Sequence, residues 1–179
     1  GWADRWLAER AIVGRVLVVH PGAGAAVKLW PVAAWGEALQ ALTGRVDAVV
    51  VTGTPGEAAL AAAVVDACPL PAYPLVGAAI GHTAALVRRA ALVAGPDSGV
   101  LHLAEAVSTP TVRLFGPASD ARFGPWQPER GHAVVRSDVA CIACERLDWA
   151  PADLPQHPCV RAIEPARVAA AVLAQLADA

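Results

Sequence analysis

Short, uninterrupted apolar runs recur along this 179-residue chain, and helix-like segments separate them. The runs cover residues 15–19, 48–51, 73–76, 91–94, 111–115 and 132–136. A strand that is apolar on both sides is typical of a parallel sheet, because helices cover both faces of such a sheet. The pattern therefore predicts an α/β domain with a Rossmann-like parallel sheet and helices on both faces, and a ligand site at the carboxyl ends of the strands.

The segments between the runs would supply the covering helices. They are predicted over residues 2–11, 31–42, 57–67, 83–89, 98–107 and 164–176. We interpret residues 1–14 as a linker helix and residues 15–179 as one domain, since a chain of this length is enough for a single core.

Charge and hydropathy exclude several classes of function. The formal net charge is −2, whereas nucleic-acid-binding domains usually carry a basic excess, so we expect no nucleic-acid partner. Residues 67–87 lack Asp, Glu, Lys and Arg, but prolines and glycines interrupt them, which predicts loops and a buried strand rather than a transmembrane segment.

With no signal peptide in view, we expect a cytoplasmic protein, at most peripheral at the inner face of the membrane. The chain has no Met and begins at Gly1, which predicts a piece of a longer protein.

Residues 90–107 combine a strand, a tight turn and the start of a helix. Gly95-Pro96 end the apolar run, and Asp97 and Ser98 are residue types that cap helices. The free N–H groups of such a helix start bind anions, phosphate in particular. Ser98 and His102 would lie on one side of this helix; the alternative is that Asp97 only caps it and His102 only lies on the surface. The opposite, packing side is predicted to consist of Val100, Leu103, Ala104 and Val107.

Three turns at the predicted carboxyl ends of strands are rich in glycine, small residues and hydroxyls. They span residues 21–28, 52–57 and 95–99. Because ligands of parallel α/β sheets bind at this edge, the three turns predict one binding site. No G-x-G-x-x-G follows the first strand, which disfavours a nicotinamide dinucleotide.

Taken together, the motifs in these turns and after them resemble the C-terminal half of glycosyltransferase family 9, the heptosyltransferase-like enzymes. They are His20-Pro21-Gly22-Ala23-Gly24, Lys28-Leu29-Trp30-Pro31, Gly53-Thr54-Pro55-Gly56-Glu57, Pro96-Asp97-Ser98-Gly99-x-x-His102, Leu114-Phe115-Gly116-Pro117 and Gly124-Pro125-Trp126. The resemblance implies a GT-B fold, in which two Rossmann-like domains enclose the active site. This chain would be the second of the two domains, and the N-terminal acceptor domain would be absent from it.

The second domain of this family binds the nucleotide-sugar donor, ADP-heptose in its best-known members. The resemblance therefore implies the donor-binding half of an inverting transferase that moves a sugar, heptose among the candidates, to an acceptor hydroxyl in lipopolysaccharide or cell-envelope glycan biosynthesis. The general base and the glycan or lipid-linked acceptor would belong to the missing domain, so this chain alone would not transfer sugar. No cofactor is implied as obligatory, since the nucleoside-diphosphate sugar is a substrate.

The resemblance also assigns roles to residues of the three turns. Lys28 would lie against the donor's diphosphate and stabilise the leaving group, because a compact ammonium neutralises the charge that develops there. Asp97 would accept hydrogen bonds from sugar hydroxyls, and His102 would bond to a phosphate or a sugar hydroxyl. Apart from the resemblance, Glu57 lies in the turn after the second strand, where a carboxylate can bind ribose hydroxyls as in other nucleotide-binding folds; the alternative is a structural role in the first turn of a helix. The remaining donor contacts are Ala23, Gly24, Ser98 and Gly99.

A cysteine-bearing segment spans residues 138–161. Cys141 and Cys144 have the spacing of a zinc-ligand pair, but His157 and Cys159 are closer together than the second pair of a tetrahedral site usually is. We therefore expect no metal site, with zinc on these four residues as the alternative. Cys68 is interpreted as a buried small side chain.

Two other classes of function stay open at this point. One is a non-catalytic nucleotide-binding or Cys/His metal module. The other is a sugar-nucleotide 2-epimerase, which would need acid/base carboxylates in the cleft.

Overall fold

The computed structural model describes residues 1–177 and contains one parallel sheet. Its strands are β1 (Val16–Val19), β2 (Ala48–Gly53), β3 (Ala72–Val76), β4 (Leu92–Pro96), β5 (Thr111–Phe115) and β6 (His132–Arg136). They are ordered β3-β2-β1-β4-β5-β6, and each neighbouring pair is parallel. This is the strand order of a Rossmann fold, so the predicted fold class is confirmed.

Helices connect the strands and lie on both faces of the sheet. Within residues 1–177 they are α1 (Trp2–Ala8), α2 (Val32–Gln40), α3 (Ala58–Ala67), α4 (Ile80–Val87), α5 (Gly99–Ala106), α6 (Asp120–Phe123) and α7 (Pro165–Ala177). Helix α1 ends three residues before its predicted end, and Ala11 has a left-handed backbone with φ of 53°. Helix α4 begins three residues before its predicted start, and α6 was not predicted. No helix among the described residues is long and apolar enough to cross a membrane.

Alternate residues of the strands point to opposite faces, and each face has its own hydrophobic core. Leu17 and Val19 of β1 pack on one face with side chains of α2, α3 and α7. Val16 and Val18 pack on the other face with side chains of α1, α4 and α5. Full burial of an aliphatic side chain contributes about 1.5–3 kcal/mol, so the uninterrupted apolar runs stabilise both layers of helices.

The predicted linker helix α1 packs against the sheet domain. Its Trp6 and Leu7 are buried in the second core. Trp2 stacks on the ring of His82 in α4, with the ring centroids 4.2 Å apart. The division of the chain at residue 15 stays a prediction.

The packing side of α5 agrees with the prediction at Val100, Ala104 and Val107, which pack in the second core, but not at Leu103. Leu101 and Ala104 are fully buried, whereas Leu103 is only partly buried and lines a cavity. The reason lies in Gly95 of β4, where an added Cβ would overlap the carbonyl oxygen of His20 and lie 3.0 Å from Leu101 Cδ2. The missing side chain leaves room for Leu101 against the sheet, so the buried face is rotated away from Leu103.

Candidate functional site

A cavity of about 770 Å³ opens at the carboxyl edge of the sheet, next to β1, β2 and β4. Strands β1 and β4 are neighbours, yet the helices that follow them pack on opposite faces, α2 on one and α5 on the other. Such a reversal leaves a crevice at the sheet edge, and open α/β folds bind their ligands there.

The structure brings all of the predicted donor-binding residues to this one cavity. They are Ala23, Gly24, Lys28, Glu57, Asp97, Ser98, Gly99 and His102. Each of the three predicted turns contributes to the lining. Apolar side chains complete the wall, among them Leu75, Ile80 and Leu103.

The charged centre of the cavity is an ion pair between Lys28 and Asp97. Lys28 Nζ donates to Asp97 Oδ2 over 2.6 Å, and the two side chains are only 12% and 11% exposed. The ring of His102 lies at the other carboxylate oxygen, with Nε2 3.5 Å from Asp97 Oδ1. Asp97 and Ser98 were both residue types suited to cap α5, and Ser98 is the N-cap residue. The alternative that Asp97 only caps the helix is wrong, because its carboxylate faces Lys28 and His102 instead.

The start of α5 presents hydrogen-bond donors at the cavity. The first N–H groups of a helix have no partner within it, and the helix dipole adds positive potential there. The Ser98 hydroxyl oxygen is shielded from solvent and has no hydrogen-bond partner within residues 1–177. An added Cβ on Gly99, or on Gly24 in the turn after β1, would meet no atom within 4 Å. The open space in front of these groups suits an anion such as a phosphate.

Glu57 has the structural role that was considered as the alternative to ribose binding. Its Oε2 accepts hydrogen bonds from the Thr54 N–H at 2.8 Å and from the Thr54 hydroxyl at 2.9 Å, as in a capping box. Its Oε1 lies so close to Gly22 that any side chain at that position would overlap it. The carboxylate nevertheless lines the cavity, so a ligand contact stays a prediction.

Sequence analysis assigned no role to His20 and Thr52, which are among the polar residues of the lining. His20 Nδ1 and Thr52 Oγ1 form a buried hydrogen bond of 3.0 Å. Burial lowers the pKa of His20 below its usual 6.5, although the nearby Glu57 carboxylate acts in the opposite direction. The position of His20, directly after β1 and within a Pro-Gly turn, was the signal in the sequence.

Sequence reasoning also missed Arg113 of β5, whose side chain is fully buried behind His102. Arg113 Nη2 donates to Glu105 Oε2 at 2.6 Å and to the Leu101 carbonyl oxygen at 3.1 Å. Its Nε donates to Thr111 Oγ1 at 3.2 Å. A single charge inside an apolar strand was the available signal, because a buried arginine requires partners.

Glu105 connects this buried pair to the loop that contains Trp126 and Gln127. Its Oε1 accepts hydrogen bonds from the backbone N–H groups of Trp126 at 2.6 Å and Gln127 at 3.0 Å. Burial alone would raise the pKa of the Glu105 carboxyl, but the Gln127 N–H and the Arg113 guanidinium hold it below its usual 4.5. The indole of Trp126 is 73% exposed and its centroid lies 6.2 Å from that of the His102 ring.

The cysteine-bearing segment does not assemble the zinc site that was considered as an alternative. Within residues 1–177 no three Cys, His, Asp or Glu side chains come together in a way that would hold a metal ion. Cys141 and Cys144 are exposed and Cys159 is buried, and burial raises the pKa of the Cys159 thiol. The His157 ring stacks on Trp149 with the centroids 3.3 Å apart. Cys68 is partly buried, and burial raises the pKa of its thiol.

Comparison with known proteins relates this arrangement to one family. The model of glycosyltransferase family 9 (heptosyltransferase) matches residues 5–148. Lipopolysaccharide heptosyltransferase 3 of Escherichia coli is 32% identical over 130 residues, which cover 66% of this chain and 36% of that protein.

Solved structures show the same fold at low sequence identity. A family 9 glycosyl transferase from Veillonella parvula superposes with a TM-score of 0.83 at 19% identity, covering 99% of this chain and 52% of that one. The E. coli ADP-heptose lipopolysaccharide heptosyltransferase II superposes with a TM-score of 0.80 at 20% identity, again covering 99% and 52%. This chain thus spans about half the length of these structures and about a third of the curated relative.

Proposed function

Because this chain belongs to glycosyltransferase family 9, we propose that it forms the donor-binding half of an inverting glycosyltransferase. The whole enzyme would move a sugar from a nucleoside diphosphate to an acceptor hydroxyl. ADP-heptose, the donor named for the E. coli structure, is the first donor to test. The observation that carries the proposal is the cavity at the sheet reversal, where Lys28 and the start of α5 meet.

In this proposal the cavity holds the diphosphate, which is the leaving group of the reaction. The bond between the anomeric carbon and the diphosphate oxygen breaks, and its electron pair stays on that oxygen. Lys28 and the first-turn N–H groups of α5 stabilise the charge that develops there. The Ser98 hydroxyl, which lacks a partner within residues 1–177, adds a further donor. The space in front of Gly24 and Gly99 lets the phosphates approach the backbone.

The two carboxylates of the cavity would bind hydroxyl groups rather than phosphate. Asp97 repels an anion but holds Lys28 in place and offers acceptors to sugar hydroxyls. Glu57 Oε1 is not used by the Thr54 cap, so we assign it to the ribose hydroxyls. The pairing of Asp97 with Lys28 and of Glu57 Oε2 with Thr54 favours binding roles over the acid/base role that a 2-epimerase needs.

The rest of the reaction would take place on protein outside this chain. A general base there would remove the proton of the acceptor hydroxyl, which then attacks the anomeric carbon from the side opposite the diphosphate. The acceptor would be a glycan or a lipid-linked sugar at the cytoplasmic face of the membrane. Since Lys28 and the helix N–H groups supply positive potential for the diphosphate, we propose that no metal ion is obligatory.

Calorimetry on the 179-residue chain with ADP and adenosine tests this proposal. We expect weak binding that depends on the diphosphate, so ADP should bind more tightly than adenosine. Lys28→Met should weaken ADP binding by about tenfold, the scale of one hydrogen bond to a charged group, and leave adenosine unchanged. Arg122→Met is the matched control, because it removes an arginine that is 64% exposed and outside the cavity lining. Equal affinities for ADP and adenosine would contradict the proposal, as would sugar transfer by this chain alone.

A further inference from the structure

The contacts of His102 determine which of its ring nitrogens carries the proton. Arg113 Nη1 lies 3.4 Å from His102 Nδ1. A guanidinium nitrogen donates hydrogen bonds and never accepts them, so Nδ1 is the accepting nitrogen. The proton of the neutral ring is then on Nε2, the nitrogen that lies 3.5 Å from Asp97 Oδ1. We propose that Arg113 is a positioning residue that holds His102 as the Nε2–H tautomer, so that the ring presents a donor to Asp97 and the cavity.

Arg113 is well placed for this role because its own orientation is fixed. Its side chain is 0% exposed and that of its partner Glu105 is 5% exposed, so water competes little for the guanidinium. Nη2 donates to Glu105 and to the Leu101 carbonyl oxygen, and Nε donates to Thr111. Nη1 is the nitrogen left over, and it is the one directed at His102.

The opposite tautomer would be disfavoured at both ends of the ring. With the proton on Nδ1, that N–H would meet the N–H of Arg113, and the lone pair of Nε2 would meet the Asp97 carboxylate. With the proton on Nε2, each contact joins a donor to an acceptor. Charged groups around the ring act in the same direction: Arg113 lies on one side, and Asp97 with its partner Lys28 lies on the other.

In the cavity, two donors therefore lie next to the same carboxylate, that of Asp97. Lys28 Nζ lies on Asp97 Oδ2, and His102 Nε2–H lies towards Oδ1. Under the proposed function, on which this step rests, both donors are ready to turn to the oxygens of a bound diphosphate or sugar. Arg113 therefore acts on the ligand through His102, although it lies behind the ring and does not itself line the cavity.

Nitrogen NMR of the ring tests the assignment without any ligand. Long-range proton–nitrogen correlation on the 15N-labelled chain distinguishes the two tautomers above the titration range of histidine, and loss of one signal set in His102→Gln assigns the residue. We expect the Nε2–H form in the wild-type chain. A predominant Nδ1–H form would overturn the proposal.

Two variants then separate the contribution of Arg113 from that of Asp97. In Asp97→Ala the ring should remain Nε2–H, because Arg113 is still present. In Arg113→Met the Nδ1–H form should gain population relative to the wild-type chain, because only Asp97 then opposes it. Arg136→Met, which removes an exposed arginine of the next strand, should leave the spectrum of His102 unchanged. A switch of tautomer in Asp97→Ala would show that Asp97 sets the proton and would overturn the role of Arg113. The Asp97→Ala result decides the question even where Arg113→Met does not fold.

ADP binding extends the test to the cavity. The amide nitrogen of glutamine replaces Nε2–H and that of asparagine replaces Nδ1–H, so His102→Gln should bind ADP about tenfold more tightly than His102→Asn. The reverse order would overturn the proposal. Absence of ADP binding by the wild-type chain would contradict the proposed function alone, because the tautomer is read from the spectrum of the free protein.

Discussion

The ion pair between Lys28 and Asp97 makes a quantitative prediction about stability. The two residues are 69 positions apart in the chain, and their contact joins the turn after β1 to the start of α5. Replacing Lys28 by Met keeps most of the side-chain volume and removes the charge. Replacing Asp97 by Asn keeps the shape and removes the opposite charge. Each single change leaves the partner charge without its counter-ion in a place that is only about a tenth exposed.

The size of the effect follows from the distance and the burial. At 2.6 Å and an effective dielectric constant of about 20, the attraction is about 6 kcal/mol before the cost of desolvation is subtracted. Breaking a fully buried pair from one side costs about 3–5 kcal/mol. Because this pair borders an open cavity, water reaches a charge that is left alone, so we expect each single variant to lose about 2 kcal/mol. For a domain of this size the melting temperature would then fall by roughly 4–8 °C.

A double-mutant cycle measures the pair itself. The wild-type chain, Lys28→Met, Asp97→Asn and the double variant are unfolded in urea at constant ionic strength, with circular dichroism as the probe. The double variant should lose less than the sum of the two singles, with a coupling of about 1–2 kcal/mol. The control is the same cycle on Arg122 and Glu145, an exposed pair whose coupling should be at most about 0.5 kcal/mol. If the coupling of Lys28 and Asp97 is no larger than that of the exposed pair, this account of the cavity is wrong.

Three further predictions concern Gly99, Gly95 and the two histidines whose pKa is lowered by burial. Gly99→Ala should weaken ADP binding by about tenfold without loss of stability, because the new methyl group enters the cavity while alanine favours the helix by about 0.5–1 kcal/mol. Gly81→Ala in α4, where a Cβ also meets no atom within 4 Å, should keep ADP binding in the same calorimetric assay. Gly95→Ala should lower the free energy of unfolding in urea by about 1–3 kcal/mol, since its Cβ would overlap the carbonyl oxygen of His20, and an unchanged value would contradict that packing. The urea midpoint should fall as the pH drops from about 7 to 5. Burial lowers the pKa of His20 and His132 in the folded chain, so the unfolded chain takes up protons from about pH 6.5 downwards while the folded chain does not. Exchange of both histidines for glutamine should flatten that decline, and a midpoint that is independent of pH in the wild-type chain would refute the reasoning.

The sequence was sufficient to predict the sheet and the turns that meet at the cavity. The apolar runs predict the strands, and the helical segments between them predict crossover connections, which make neighbouring strands parallel. Since the turns after β1, β2 and β4 then lie at one edge, residues as distant as Ala23 and His102 were expected in one cavity, and the structure places them there.

The partners of the charged groups were not predictable from local patterns. Asp97 has the residue type and position of a helix cap, but the fold brings Lys28 Nζ to 2.6 Å from its carboxylate, which forms an ion pair instead. Arg113 is a single charge inside an apolar strand, and its partner Glu105 lies on the preceding helix α5, eight residues earlier, where no local pattern marks the pair. The buried face of α5 depended on the absence of a side chain at Gly95, which is a tertiary effect.

The burial of the central strands has a consequence for how the molecule opens. Strands β1, β4 and β5 are buried along their whole length, whereas the edge strands β3 and β6 are partly exposed. In native-state hydrogen exchange the amides of β1 and β4 should therefore exchange only through global unfolding, while the exposed stretch over residues 143–153 should exchange through small local openings. The cavity thus borders the slowest-exchanging strands of the sheet. The cysteine-bearing loop can open locally and close again while the amides of the strands next to the cavity stay protected from exchange.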